Sequence, residues 1–453
     1  MKIRILSFFV CIMSLVLSCN FFGKQYTFTE DIAPLVFKNC SPCHRESGAA
    51  PFPLTSYAEV KKKLKTIVRV TRNRSMPPWP ADPSYSHFIG EKYLTDEEIE
   101  MIAQWQKQGA PEGPADKLPA LELPEWRSNI GKPDMVLHLD SVLLHPNGKD
   151  RFFIFKIPGE LPHDTFLQAA EFVAGVPDMV HHFNGHLLLY PFDLKSNLFD
   201  SPLKVEITEG EYDQDFLKLN LLNDDGTKPF RIHSAVNYLP GVLGTAYPPG
   251  IGSVRLSRKF AFIGNDMHYG PSDRKVTDKS VINLFFTDKA PERPTSEVML
   301  GTNGVSPIVP PLSIPPGKKT QHSTRFKVNE NISILTVNPH LHMLGTSFVA
   351  FAIKPNGDTI PLIRIPKWDF RWQYFYTFTH MVPVPRGSEI VAIATFDNTR
   401  ANPQNPFDPP QWVGERLEYG GASMRATDEM FQFIVTYTAW KEGDEKISLN
   451  PNP

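Results

Sequence analysis

Cys40-Ser41-Pro42-Cys43-His44 is the first run in this chain whose residue types and spacing can do chemistry. Two thiols about one turn apart can add to the two vinyl groups of a porphyrin, and the imidazole that follows then lies under the iron as an axial ligand. The run predicts a covalent haem c on Cys40 and Cys43, with His44 as ligand. A thioredoxin-like dithiol would need a βαβ setting, and a zinc site would need a second cysteine pair; neither is present in the pattern. Met76, in Arg74-Ser75-Met76-Pro77-Pro78-Trp79, lies in a proline-framed loop between two predicted helices. It is the expected sixth ligand, since a thioether raises the potential of an electron carrier. His87 and Met101 are the alternatives.

Downstream, histidines gather where strands are predicted to end. His340-Leu341-His342 follows residues 332–337, and an H-x-H pair on extended chain projects both imidazoles to one face. Met430 enters another predicted strand and offers a thioether, a soft ligand that favours Cu(I). Together these three would make a copper site able to bind dioxygen. Earlier in the chain stand His181, His182 and His186, and then His268. Imidazoles alone suit a copper that only cycles electrons. Adjacent histidines on a regular strand face opposite ways, so ligation by both His181 and His182 requires a bulge or a strand end. His182 and His186 share a face more naturally, and the pattern leaves open which pair ligates. His138, His145, His163, His233, His322 and His380 have no partner at ligand spacing and read as structural.

In order along the chain come a histidine doublet, His268-Tyr269-Gly270 with Tyr269 after the histidine, the H-x-H pair before Met343-Leu344-Gly345, and Asp428-Glu429-Met430 before a terminal strand. This order resembles the copper type II, ascorbate-dependent monooxygenases, the family of peptidylglycine alpha-hydroxylating monooxygenase and dopamine beta-monooxygenase. The resemblance implies two jelly-roll-like domains with one copper each. His181, His182 and His268 would hold the electron-transfer copper, and His340, His342 and Met430 the catalytic copper that activates dioxygen. The animal enzymes are stapled by disulfides, for which this chain has no cysteine to spare. Asn338 stands where the amidating enzyme has arginine, and Gln432 and Ile434 where it has asparagine and tyrosine. The resemblance therefore does not extend to peptide amidation. Residues 27–113 in turn resemble the class I cytochrome c domain, whose terminal helix here carries Trp105.

The elements that must position these residues change character along the chain. Capping boxes Ser56 with Glu59 and Thr95 with Glu98, and an apolar face from Ile32 to Val36, predict three short helices. Gly109 is the expected stop. A proline-rich linker follows, and beyond it the period changes to two, over residues 152–157, 281–286, 332–337, 390–396 and 431–437. The expected fold class is multidomain: a small all-α cytochrome c domain over 27–113, a linker over 114–128, and two all-β jelly-roll-like sandwich domains over 129–290 and 295–453. The APERP run near Ala290 is the expected seam.

The 453 residues carry a formal net charge of -2, which gives no electrostatic term for nucleic acid and excludes that partner. Forty-three prolines with 21% charged residues suit many short strands better than a bundle. Residues 1–18 combine Lys2 and Arg4 with an apolar run and end before Cys19, a lipobox-like leader. The mature chain is expected to be exported to the periplasm or cell surface and lipid-anchored at Cys19, leaving Cys40 and Cys43. The function these readings imply is an exported monooxygenase: electrons pass from an external donor through haem c to two coppers, and dioxygen hydroxylates a C–H bond of a small-molecule or peptide-like substrate. The alternative is a non-catalytic electron-transfer or copper-binding lipoprotein.

Overall fold

The computed structural model describes residues 24–46, 48–122, 128, 130–146, 149–208, 217–240, 244, 246–415 and 427–450, with main chain only at 265 and 266. The leader and Cys19 lie outside them. Contacts divide the chain into two compact units, one made of Met1–Glu46, Phe52–Pro78 and Lys92–Leu123, the other of Ser47–Pro51, Trp79–Glu91 and Pro124–Pro453.

The first unit holds the helices Ala33–Asn39, Tyr57–Arg72 and Asp96–Lys107. Local sequence explains their ends. Thr95 Oγ1 accepts the Glu98 N–H while the Glu98 carboxylate accepts the Thr95 N–H, satisfying two donors that a helix start otherwise leaves unmade. Ser56 accepts the Glu59 N–H, but the Glu59 carboxylate reaches back to Thr55 rather than to Ser56. The first helical stretch opens as a π-turn over Phe28–Ile32 capped by Thr27. Gly109, at φ 84°, follows the last helix. Phe28, Ile32, Val60, Leu64, Ile102 and Trp105 form the core of this unit.

Two pairs of antiparallel sheets make up the second unit. In the first pair a five-stranded sheet runs Lys204–Glu206, Arg151–Glu160, Lys259–Tyr269, Val180–Tyr190, Phe230–Tyr238. It buries Phe155, Phe183, Phe262 and Met267 against a four-stranded sheet that contains Thr165–Val173 and Val281–Thr287. In the second pair, Ser296–Gly301, Phe431–Ala439, Ile332–Leu341 and Tyr376–Val384 face a five-stranded sheet centred on Glu389–Asp397. Every segment read from period-two patterning falls inside one of these strands.

The expected fold class is corrected. Strand accounts for 38% of the chain and helix for 13%, and three short helices joined by irregular chain do not make an all-α cytochrome c domain. Capping signals mark where helices start but say nothing of how much chain they organise. Residues 79–91, which the periodicity enclosed in the helical part, pack instead in the β unit: Phe88 bridges to Phe378, and the Ile89 N–H donates to Thr377 O at 2.8 Å. Both sheet pairs lie in the same compact unit. Ile251 and Tyr247, from the first half, pack into the core of the second. No described helix is long and apolar enough to cross a membrane.

Candidate metal centres

The Cys40–His44 run begins where the helix Ala33–Asn39 ends. The Cys40 N–H donates to Val36 O at 2.8 Å, and the Cys43 and His44 N–H groups return to Cys40 O at 3.1 and 2.9 Å. One tight turn therefore carries both thiols, and neither is in a disulfide. His44 Nδ1 lies 3.0 Å from Phe52 O. A carbonyl only accepts, so this bond puts the proton on Nδ1 and the lone pair on Nε2, the tautomer an axial ligand needs. Burial lowers the His44 pKa against the opposing pull of the Phe52 carbonyl, and burial, with Cys43 adding, pushes the Cys40 thiol up to about 12. Met76 belongs to the same compact unit, its N–H 3.2 Å from Val70 O. His87 does not: it lies in the β unit, 3.3 Å from Glu91. Met101 packs against the helical core. The turn and the tautomer fit a covalent haem, with Met76 in the same compact unit as the candidate second ligand.

His181 and His182 stand near the start of Val180–Tyr190. The register of this strand against Lys259–Tyr269 slips between Val180 and His182. A bulge of this kind turns neighbouring side chains toward one side, where a regular strand would part them. His181 Nδ1 and His182 Nδ1 are 3.5 Å apart, and the His268 ring, paired across the strands with His182, lies 4.7 Å from the His181 ring and 5.1 Å from the His182 ring. One ligand atom from each of the three lies within 4.8 Å of the others. Nitrogens separated by 3.5 Å can share a metal at the usual imidazole bond length of about 2.0–2.1 Å. Asp150 Oδ1 sits 2.8 Å from His268 Nε2, and Phe152 stacks on the ring at 4.3 Å. The carboxylate holds the Nε2 proton and turns the Nδ1 lone pair toward the cluster.

His186 is not part of this cluster. A second slip separates it from His182, its Nδ1 accepts the Ser234 N–H at 3.2 Å, and its ring lies 5.0 Å from His233. Burial, with His233 and Arg231 adding, lowers its pKa to about 4. The structure brings His181, His182 and His268 together and leaves His186 apart from them.

His340 and His342 close the strand Ile332–Leu341, their rings 5.1 Å apart. Pairing with Phe431–Ala439 sets His340 opposite Gln432 and Leu341 opposite Phe431, where the ladder ends, and His342 and Met430 are the next residue of each segment beyond it. His342 Nδ1 lies 3.0 Å from Asp428 O, which again leaves the lone pair on Nε2. Phe370 packs edge-on against the His342 ring at 5.5 Å. Two imidazoles and a thioether are a donor set that suits copper, above all Cu(I). Two polar side chains nearby are bound to main chain: Asn338 Nδ2 donates to Tyr374 O at 2.9 Å and Gln432 Nε2 to Thr302 O at 2.7 Å.

Two acidic residues here were not singled out from sequence. Asp150 orients His268. Glu429 is 0% exposed and accepts the N–H groups of His342 at 2.5 Å, Leu344 at 3.0 Å and Met430 at 3.0 Å. Burial pushes its carboxyl up to about 8 while these three donors oppose the rise. Its place in Asp428-Glu429-Met430 was the only available signal, and that run does not reveal which carboxylate turns inward.

No protein-family profile and no curated protein matches this chain. Similar solved structures include the infectious bursal disease virus VP2 subviral particle, 11% identical over 72% of this chain and 75% of that one, with a TM-score of 0.18. Another is BuGH86wt in complex with neoagarooctaose, 10% identical over 92% of this chain and 56% of that one, with a TM-score of 0.13. Likenesses this faint carry no argument about fold or function.

Proposed function

We propose that this chain is a copper-dependent monooxygenase carrying one covalent haem c, which hydroxylates a C–H bond of a small-molecule or peptide-like substrate with dioxygen and electrons from an external donor. Cys40, Cys43, His44 and Met76 would hold the haem, His181, His182 and His268 one copper, and His340, His342 and Met430 the other. When bound, these groups supply one-electron transfer and dioxygen activation. The same reading has the mature chain exported and lipid-anchored through Cys19.

The observation that supports it best is the division of donors within the β unit. Three clustered imidazoles, suited to electron cycling, lie on one sheet pair, and the imidazoles of His340 and His342, on a strand paired with the one that Met430 precedes, lie on the other. The chain's own residues prepare three of these imidazoles. Phe52 O, Asp150 and Asp428 O hold a proton on the far nitrogen of His44, His268 and His342, so the ligand nitrogen needs no deprotonation before it binds. Phe152 and Phe370 pack against His268 and His342 and restrict their rotation.

Metal and haem analysis of the purified exported protein tests the reading. It should contain one haem that stays attached after denaturation and two coppers, and a reduced donor should drive oxygen uptake. Copper at both centres without oxygen uptake would instead identify an electron-transfer or copper-holding protein, and absence of copper would remove the reading altogether.

A further inference from the structure

Among the described residues, Glu429 is the carboxylate that joins the two segments of the second centre. Its Oε1 receives the N–H of His342 and the N–H of Met430, and its Oε2 receives the N–H of Leu344. One side chain thus grips the main chain on both sides of the gap between imidazole pair and thioether. Its own N–H is held by Gly414 O at 3.1 Å, so the acceptor is fixed from behind. The neighbouring Asp428 carbonyl takes His342 Nδ1, and beyond Met430 the strand is fastened by Thr302, whose Oγ1 accepts the Phe431 N–H at 3.1 Å. Three N–H groups converging on one buried carboxylate use acceptor capacity on both oxygens, which an amide cannot match.

We propose that Glu429 is the positioning residue of the second metal centre, setting the spacing between the His340–His342 pair and the Met430 thioether by clamping the backbone that carries them. The inference rests on the reading of those three residues as a copper centre. A merely structural carboxylate would hold the fold without affecting the metal. A positioning carboxylate must also govern how tightly the centre binds copper and whether the thioether reaches it.

The isosteric Glu429→Gln variant separates these roles. Its single carbonyl oxygen can serve His342 and Met430, but its NH2 then confronts the Leu344 N–H. Glu429→Asp keeps the carboxyl group and shortens the reach by one methylene. Full-length haem-containing protein, stripped of copper, would be titrated with Cu(I) under reducing conditions. Copper–sulfur scattering would be read by X-ray absorption, and thermal unfolding would be followed on the copper-free protein. Both variants should bind Cu(I) at the second centre about 10–100-fold more weakly, the range expected when a partner that orients a ligand is removed. They should lose most of the copper–sulfur signal and keep the haem spectrum and the copper held by His181, His182 and His268. Variants that melt earlier yet bind Cu(I) within twofold of wild type, with the sulfur signal intact, would reduce Glu429 to a structural role and overturn the proposal. Wild-type protein that takes up no copper at His340 and His342 would overturn the underlying reading, and the inference with it. If Glu429→Gln fails to fold, the Glu429→Asp titration decides alone.

Discussion

At the first centre one exposed carboxylate selects the nitrogen of His268 that can meet a metal. Asp150 is half exposed, so its removal disturbs little packing, yet it holds the Nε2 proton at 2.8 Å. Asp150→Ala should therefore leave the fold intact and weaken copper binding by His181, His182 and His268 about 10–100-fold. Cu(II) titration with the haem spectrum as internal reference measures this, and an unchanged affinity would show that His268 is oriented by other means. At the second centre Met430 is half-buried and precedes its strand by one residue. If only packed, its replacement by leucine costs less than about 1.5 kcal/mol. Met430→Leu is expected to stay folded, keep haem and the first copper, and lose donor-driven oxygen consumption. Full turnover by that variant would sink the thioether assignment.

The strand that carries the histidine doublet is shaped by its neighbours. Phe183, between His182 and Asn184, is fully buried and stacks on Phe172 at 4.4 Å. Gly264, on the adjacent strand, leaves no room between the two chains: a Cβ there would run into the Phe183 ring. Gly264→Ala should therefore overpack the core by about 1–3 kcal/mol. Because the displaced ring adjoins His182, copper affinity at the first centre should fall as well, while the second centre holds. Chemical denaturation and copper titration on the same sample check both halves of this expectation. Destabilisation without any change in copper binding would mean that the bulge tolerates movement of its core.

Across the whole β unit, the APERP run carries hydrogen bonds to both halves of the chain. Arg293 exchanges main-chain hydrogen bonds with Gly250 and Gly252 of the first half, and its guanidinium forms a buried bidentate pair with Asp444 near the end of the second. Ser333 and the Lys441 N–H also donate to Asp444. Burial alone would raise the Asp444 pKa, but Arg293, Ser333 and Lys441 outweigh it and hold the carboxyl below its ordinary value. A depressed carboxylate contributes stability that is fully present above the unfolded value, about 3.9, and is lost as pH falls through the lower folded value. Asp444→Asn leaves a buried guanidinium without its counter-charge and should destabilise the unit by about 3–5 kcal/mol at neutral pH. Its stability should also change less than that of wild type on acidification below about pH 4. Denaturation curves over that range decide the matter, and parallel curves would remove Asp444 from the account.

The sequence alone determined what short-range physics writes into it. Helix starts at Ser56 and Thr95, period-two strands, the turn of Cys40 to His44 and the face shared by His340 and His342 all follow from residues within a few positions of one another. What tertiary structure decided depends on partners far apart in the chain. Asp150 meets His268 across 118 residues and Glu429 meets His342 across 87. The bulge that unites His181 with His182 is a property of register against a neighbouring strand, and it sends His186 to His233 instead. The helical segment was misjudged for the same reason. Caps and amphipathic faces are local, but whether residues 79–91 join helices or sheets is settled by the partners they bury against, here Thr377, Phe378 and Arg364.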